Sequence, residues 1–247
     1  MLDNIKSEGI ILKAVNFREI DKKIDILFPN GNLIQAIAFG AKKSKKRFGG
    51  NLEPYNLVKF ELQKHKSFYV VKEALTKVIF FNLKKNLQTL KILFNITTLL
   101  TSKTLDIHKD VYKALLKLLF KLDEAKEKPI KYYLFFLIYF LKKEGFLSLP
   151  LCFTCGNENI EYIKIDEEAI IFYCSKCNLE KSLTNLSPES IIFFKTCISG
   201  DRKFLELSLK KNSYLEVEEV LLKYIQNHFQ LNLEKINDEN NITKANT

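Results

Sequence analysis

The spacing of apolar residues changes near residue 78, and this change limits the folds that the chain can adopt. Upstream, Ile24, Ile26 and Phe28 recur at every second position, which is the period of a β-strand with one buried face. Downstream, apolar residues fall four, three and four positions apart, at Leu83, Leu87, Leu90 and Phe94, which places them on one helical face. A β-rich part followed by a helical part predicts an α+β fold.

The first 77 residues are predicted to form five short strands. They are expected at Gly9–Phe17, Ile24–Phe28, Leu33–Phe39, Val58–Gln63 and Phe68–Ala74. The dipeptides Asn30-Gly31 and Gly49-Gly50 supply the turns. Short strands at this density predict a small closed or half-closed barrel such as the OB-fold, although an SH3-like barrel fits the strand number nearly as well.

Most of the remaining chain is predicted to be helical. Beyond the helix through Leu83 and Phe94, helices are expected at Lys109–Asp123, from Pro129 to a Gly145 cap, from Ser187 to Gly200, and at Tyr214–Phe229. The helix that starts at Pro129 is apolar on all sides between Tyr132 and Leu141. Such a helix is expected to be buried within a bundle.

These patterns divide the chain into five consecutive segments. Residues 1–77 are the predicted barrel, residues 78–149 and 182–231 the two parts of a helical domain, and residues 150–181 a metal-binding module between them. The last segment, residues 232–247, is polar, rich in Asn and without a period, so it is expected to be disordered.

Four cysteines in residues 150–181 have the spacing of a metal site. Cys152, Cys155, Cys174 and Cys177 form the pattern C-x2-C-x18-C-x2-C. Two residues between cysteines let one tight turn direct both thiolates at the same ion, and two such turns make the tetrahedral sulfur cage that suits Zn²⁺. The alternatives are redox pairs or unrelated buried thiols, but neither pair opens a helix of a thioredoxin-like unit.

The predicted zinc is structural, with one ion per chain. All four positions of a tetrahedral site are taken by cysteine, so none is open for a substrate. The apolar residues Ile163, Ile165, Ile170 and Phe172 between the pairs predict a hairpin that folds the second pair back onto the first. The fifth cysteine, Cys197, lies in an apolar stretch and is interpreted as a core residue.

A dense basic run lies between the predicted third and fourth strands. It consists of Lys42, Lys43, Lys45, Lys46 and Arg47, interrupted only by Ser44. Like charges at this density repel one another and cannot be buried, so a polyanion such as nucleic acid is the leading partner. A solvated loop that only aids solubility and a nuclear-localisation signal are the alternatives.

The basic character extends beyond this run within the first third of the chain. The first 80 residues hold 15 Lys or Arg and 8 Asp or Glu, which accounts for +7 of the net charge of +10. Lys13, Arg18, Lys22 and Lys23 are candidates to extend the patch, although Glu19 and Asp21 interrupt it. The aromatic residues available to stack on bases are Phe17, Phe48, Tyr55, Phe68 and Tyr69, each of which fits the core better. With only three arginines in the chain, the surface is expected to bind phosphates and not to read bases.

The sequence gives no indication of an enzyme. It contains no phosphate loop, no His-Glu-x-x-His and no Gly-x-Ser-x-Gly motif, and its three histidines are scattered. The N-terminus does not resemble a secretory signal, and the longest apolar block, Tyr132–Leu141, is about half of a membrane span. A cytoplasmic protein with reduced cysteines and no membrane partner is therefore expected.

In this order, these parts resemble the RecO family of bacterial DNA repair proteins. The resemblance starts at Gly9-Ile10-Ile11-Leu12-Lys13 and includes the hairpin through Asn30-Gly31. It is strongest from Gly40 through the basic run to Phe48-Gly49-Gly50-Asn51-Leu52-Glu53-Pro54, and continues through the transition from Gly145-Phe146 to Cys152-x-x-Cys155-Gly156. It covers nearly the whole chain apart from the polar tail.

The resemblance implies a fold and a function. The fold is an N-terminal OB-fold, a helical domain and a zinc module. The function is that of a recombination mediator that binds single- and double-stranded DNA, anneals complementary strands and assists recombinase loading, together with the mediator RecR and single-strand DNA-binding protein. It also implies association with the nucleoid. A zinc-ribbon adaptor that binds RNA or an acidic protein is the alternative from the residues alone.

The chain departs from the commoner pattern of this family in two respects. Lys replaces Arg at most basic positions, which is expected to weaken bidentate binding of phosphate. Some glycines before Cys174 are missing, which affects the expected shape of the zinc hairpin and not its ligands.

Overall fold

The computed structural model describes residues 4–44, 48, 52–102, 107–124, 128–178, 183–200, 206–207 and 209–236. Contacts between residues divide the chain into two compact units. The first combines Met1–Asn86 with Ile96–Ala125, and the second combines Leu87–Asn95 with Lys126–Thr247. The division does not follow the consecutive segments expected from the sequence, because residues 78–149 are shared between the units.

The first unit contains a closed five-stranded barrel. Its strands are β1 (Asn4–Phe17), β2 (Asp21–Leu27), β3 (Leu33–Ala38), β4 (Leu57–His65) and β5 (Phe68–Val78). The order around the barrel is β1-β2-β3-β5-β4, with β4 returning to β1. All pairs are antiparallel except β3–β5, which is parallel. This order confirms the OB-fold and excludes the SH3-like alternative.

The barrel core consists of the residues that alternate in the sequence. Ile24, Ile26 and Phe28 are buried inside it, as are Val58, Phe60 and Leu62 from β4. The β2–β3 turn depends on Gly31, whose φ is +90°. A side chain at this glycine would also collide with the backbone carbonyl of Ile107. The Asn-Gly signal in the sequence therefore marks a position that only glycine fills without strain.

The first predicted helix differs from expectation in its start and in its buried face. Strand β5 continues to Val78, a short 3₁₀ helix covers Leu83–Lys85, and helix α1 spans Leu87–Leu100. Leu87, Leu90 and Phe94 share one face of α1, but that face is exposed. The buried apolar residues of α1 are instead Ile92, Leu93, Ile96, Leu99 and Leu100. Helix α2 spans Lys109–Glu124, as the sequence predicts.

The second unit contains the bundle of α3 (Pro129–Lys143), α4 (Pro188–Ser199) and α5 (Lys211–Phe229), in which each helix packs against the other two. The predicted ends are confirmed for α3 and α4. Gly145 terminates α3 with a φ of +85°, and Gly200 terminates α4 with a φ of +74°. The hydroxyl of Ser187 caps α4 by accepting a hydrogen bond from the Ser190 backbone N–H at 3.3 Å. The apolar middle of α3 is buried, as expected.

A four-stranded sheet in the second unit carries the cysteines. Its strands are β6 (Leu147–Cys152), β7 (Tyr162–Ile165), β8 (Ile170–Tyr173) and β9 (Thr184–Asn185), in the order β6-β8-β7-β9. Strands β7 and β8 form the hairpin that the sequence predicts between the cysteine pairs. Strand β6 pairs with β8 in parallel.

The expectation of a disordered tail from Asn232 does not hold for residues 232–236. Ile236 is buried, and its backbone N–H donates to Glu218 Oε1 at 2.7 Å. The Asn95 side chain exchanges two 2.8 Å hydrogen bonds with the backbone of Glu234. A polar segment is ordered here because buried polar groups of α1 and α5 bind its backbone. Residues 237–247 lie outside the described residues.

Within the described ranges, no helix combines the length and the apolar character needed to cross a membrane.

Candidate metal centre and nucleic-acid surface

The first cysteine pair lies on a tight turn at the end of β6. The backbone N–H of Gly156 donates to the carbonyl oxygen of Cys152 at 2.8 Å, and the N–H of Cys152 donates to the Asn157 carbonyl oxygen at 2.8 Å. Gly156 has a φ of +70°, a conformation that favours glycine. These bonds turn the chain so that Cys152 and Cys155 face the same point.

The second pair lies directly after β8. Cys174 precedes the short 3₁₀ helix Ser175–Cys177, and the N–H of Cys177 donates to the Cys174 carbonyl oxygen at 3.1 Å. Because Cys152 is paired with Phe172 in the parallel β6–β8 ladder, the two turns leave the sheet side by side. The sheet therefore brings together cysteines that are separated by 18 residues in the sequence.

The four thiol groups are close enough to share one ion. Their Sγ atoms lie within 4.8 Å of one another, and Cys155 Sγ is 3.7 Å from Cys174 Sγ. A tetrahedral ion with bonds of about 2.3 Å to sulfur places its ligands roughly 3.8 Å apart. All five cysteines lie in the described part of the chain and are free thiols. The quartet therefore fits a four-sulfur metal site.

Hydrogen bonding prepares one cysteine of the quartet for binding a cation. Burial alone would raise the pKa of Cys152, but backbone N–H groups of Cys174, Cys155 and Thr154 outweigh it and lower the pKa to about 6. Hydrogen bonds with Cys155 and Cys174, followed by burial, raise the pKa of Cys177 to about 12. Four thiolates this close repel one another, so full deprotonation needs a positive charge at their centre.

The remaining cysteine is separate from this centre. Cys197 lies on α4, is 1% exposed, and has its pKa raised by burial. The interpretation of Cys197 as a core residue is confirmed. Among the described residues, the quartet is the one group of three or more metal-ligating side chains found close enough to share an ion.

The start of the basic run is tied to the β1–β2 turn. The backbone N–H of Lys42 donates to the Ile20 carbonyl oxygen at 3.0 Å, and Asp21 accepts a 2.8 Å hydrogen bond from the Gly40 backbone N–H. Lys42 and Lys43 are exposed. The other three cations of the run, Lys45, Lys46 and Arg47, lie outside the described residues.

Two of the predicted cations meet at this turn. Lys42 Nζ donates to the Arg18 carbonyl oxygen at 3.4 Å. Arg18 has a φ of +58°, and its guanidinium lies 5.1 Å from the centre of the Phe17 ring. Asp21 does not interrupt the surface as the sequence suggested, because it is buried beneath the turn. Glu19 is exposed beside Arg18.

Lys22 and Lys23 are neighbours in sequence but lie in different surroundings. Lys22 Nζ forms a 3.0 Å ion pair with Glu53 Oε1. Lys23 is paired with Val15 on β1 and with Ile37 on β3, and it lines a groove on the outer face of these strands. Successive strand residues point to opposite faces, which separates the two lysines. Lys13 is exposed two positions from Val15, on the same face as Lys23.

The groove has a volume of about 370 Å³. The sequence identified several of its residues but did not predict that they form a groove. Its apolar lining includes Leu33 and Ile37 of β3, and its aromatic lining consists of Phe17, Phe68 and Tyr69. Alternation along β3 could have indicated it, since Leu33 and Ile37 lie on the opposite face from the buried Ala36 and Ala38.

The five aromatic candidates divide into two groups. Phe48 and Tyr55 are buried, 1% and 8% exposed, so the core interpretation is confirmed for them. Phe17, Phe68 and Tyr69 are half-buried and line the groove. His65 lies against Phe68, with 5.4 Å between ring centres.

Comparison with known proteins gives matches along almost the whole chain. A family model described as "Recombination protein O N terminal" matches residues 1–80, and one described as "Recombination protein O C terminal" matches residues 94–235. The chain is 24% identical to the DNA repair protein RecO of Thermoanaerobacter sp. (strain X514) over 247 residues, which covers 96% of this chain and 98% of the relative.

Two further relatives carry the same description. The DNA repair protein RecO of Alkaliphilus metalliredigens (strain QYMF) is 23% identical and covers 94% of this chain and 95% of its own. That of Anaeromyxobacter sp. (strain K) is 37% identical over 62 residues, which is 25% of this chain and 24% of the relative. With the OB-fold barrel, the helical unit and the cysteine quartet in place, the chain belongs to the RecO family of DNA repair and recombination proteins.

Proposed function

We propose that this protein is a non-enzymatic mediator of recombinational DNA repair that binds DNA phosphates on one side of its barrel. In this role it binds single- and double-stranded DNA, anneals complementary strands and assists recombinase loading, with RecR and single-strand DNA-binding protein as partners, in the cytoplasm at the nucleoid. Family membership supports the setting in DNA repair. The residues of the barrel surface support the mode of binding.

The observation that carries the proposal is the contact between the start of the basic run and the turn that holds Arg18. Hydrogen bonds from Lys42 hold the start of the basic run against the β1–β2 turn, next to Arg18. Lys13 lies on β1, which leads into this turn, and Lys23 lies on β2, which follows it. Loops and the outer face of strands 2 and 3 are the surfaces with which OB-folds bind nucleic acid. Cations arranged this way match the charge of a phosphate backbone.

The contribution of each proposed DNA-binding residue is expected to differ. Lys42, Lys43, Lys45, Lys46 and Arg47 supply most of the charge, and Lys13, Arg18 and Lys23 extend it along the barrel. Lys22 contributes least, because Glu53 already compensates its charge. The low arginine content favours binding of backbone over reading of bases.

The cysteine quartet is proposed to hold one structural Zn²⁺. Four sulfur ligands within 4.8 Å of one another suit zinc, and they leave no position for a substrate. When bound, the ion supplies the positive charge that lets all four thiols deprotonate and cross-links two turns of a small sheet. Its role is to stabilise the second unit and not to take part in chemistry.

The dependence of DNA binding on salt tests the phosphate assignment. If the five cations of the run neutralise about five phosphates, they should contribute roughly −3.5 to the slope of log K against log salt for a single strand, or about a hundredfold loss between 50 and 200 mM. Replacing all five with Ser should flatten this slope and weaken binding to every sequence alike.

A matched control removes the same charge elsewhere in the first unit. Replacing the exposed Lys77, Lys109, Lys113, Lys117 and Lys121 with Ser should leave most of the slope in place. Equal slopes for wild type and the basic-run variant would contradict the assignment. Tenfold stronger binding of structured RNA or an acidic protein than of single-stranded DNA would favour an adaptor role instead.

A further inference from the structure

The outer face of the barrel carries an aromatic groove beside the β1–β2 turn, and phosphate binding by the cations gives its aromatic rings no role. Phe17 comes from the end of β1, and Phe68 and Tyr69 come from the start of β5. Tyr69 packs partly against the barrel core, and its backbone is paired with Ala36 of β3. The aromatic rings therefore project from strands and are held in position by the sheet.

The chemistry of the lining narrows the class of ligand. Three aromatic rings and the aliphatic Leu33, Ile34 and Ile37 form its apolar surface, while Gln35 and Lys23 provide polar groups. Gln35 Nε2 donates to Asp25 Oδ1 at 2.9 Å, which orients the amide. A flat ligand with apolar faces and polar edges fits such a lining. Its volume of about 370 Å³ lies at the low end of ordinary ligand pockets.

The position of the groove relative to the cations points to a ligand that also carries phosphate. The Arg18 guanidinium lies over the ring of Phe17, and Lys42 contacts the Arg18 backbone. The groove, Arg18 and the start of the basic run thus follow one another along the surface. A nucleotide strand has the same arrangement, with flat bases on one side and a charged backbone on the other.

We propose that this groove stacks one or more unpaired bases of single-stranded DNA, with Phe17, Phe68 and Tyr69 as the stacking residues. The inference rests on the proposed DNA-binding function and deepens it by assigning the bases a place. In a duplex both faces of each base are covered by neighbouring pairs, so only a strand with free bases can use the groove. Single-stranded DNA should therefore bind more tightly than duplex of equal length.

The test compares an oligothymidine strand with a strand of the same length in which the central nucleotides are abasic. Both strands carry the same phosphates, so the salt dependence of binding should be equal. Full-length wild-type protein should bind the abasic strand at least fivefold more weakly, because stacking of one base on an aromatic side chain is worth about fivefold or more. Equal affinity for the two strands would overturn the proposal without touching the phosphate assignment.

A pair of variants locates the effect. Phe17→Leu with Phe68→Leu removes two of the three rings while keeping apolar bulk, and it should reduce the preference for the strand with bases. Phe81→Leu is the matched control, because Phe81 is 72% exposed and lies outside the groove. A preference of the same size as in wild type after the double change would overturn the proposal and would favour an apolar segment of a protein as the occupant of the groove. If wild-type protein binds neither strand, that result would instead contradict the proposed function.

Discussion

At the scale of single residues, neighbours with the same sequence signal have different roles. Lys22 and Lys23 belong to one basic dipeptide, yet Lys22 is paired with Glu53 and Lys23 lines the groove. Phe48 precedes Gly49-Gly50 and Phe68 follows Lys66-Ser67, yet Phe48 is buried and Phe68 is half-buried. The sequence identified these lysines and phenylalanines as candidates. Which of them is exposed for a ligand depends on the residues that each one contacts in the barrel, and those residues are distant in sequence.

The lysine pair supplies a prediction with an internal control. Lys23→Gln should reduce the steepness of the salt slope for single-stranded DNA by about 0.7, which corresponds to one lost phosphate contact. Lys22→Gln, one residue away, should leave the slope unchanged because its charge is already compensated. Filter binding or fluorescence anisotropy between 50 and 200 mM salt measures both, and the reverse ranking would contradict the placement of Lys23 at the DNA surface.

Two glycines with positive φ allow the cost of backbone strain to be measured separately from the cost of a steric clash. Gly31 has a φ of +90° and approaches the Ile107 backbone, while Gly40 has a φ of +67° and open space around its Cα. Gly40→Ala should lower the free energy of unfolding by about 1 kcal/mol through backbone strain alone. Gly31→Ala should cost clearly more, and denaturant unfolding that gives equal losses would contradict the close approach of the hairpin to Ile107.

At the scale of elements, local sequence signals predicted the ends of helices better than the pairing of strands. Pro129, Gly145, Ser187 and Gly200 bound two helices as expected, because capping depends on residues within one turn. Strand β6 and its parallel pairing with β8 were not predicted, since they join segments about 20 residues apart. The exposure of the apolar face of α1 was also not predicted, because spacing shows which residues share a face but not whether other elements pack against that face.

The sheet of the second unit yields a prediction about metal. Purified protein should contain one zinc per chain by elemental analysis, and Cys174→Ser should lose it. The same change should lower the thermal stability of the second unit, because the two cysteine turns are then no longer cross-linked. Cys197→Ala is the control, since Cys197 is a core residue outside the quartet and its variant should keep the ion. Zinc retained by Cys174→Ser, or zinc absent from wild type, would contradict the site.

At the scale of the whole molecule, the distribution of charge and the order of segments were predicted from the sequence. The +7 charge of the first 80 residues falls on the part of the chain that holds the barrel, and the two family models match the N-terminal and C-terminal parts of the chain. The composition of the two compact units was not predictable from consecutive sequence, because residues 87–95 and 96–125 belong to different units although α1 runs through both. The groove, likewise, is formed by residues from β1, β2, β3 and β5.

Annealing of complementary DNA strands tests the central claim most directly, because it requires binding of single strands and their release as duplex. Wild-type protein should accelerate annealing of two complementary oligonucleotides, both bare and covered with single-strand DNA-binding protein. The variant with all five residues Lys42, Lys43, Lys45, Lys46 and Arg47 replaced by Ser should lose this acceleration while keeping its zinc and its fold. Annealing by this variant at the wild-type rate, or no acceleration by wild type, would contradict the account.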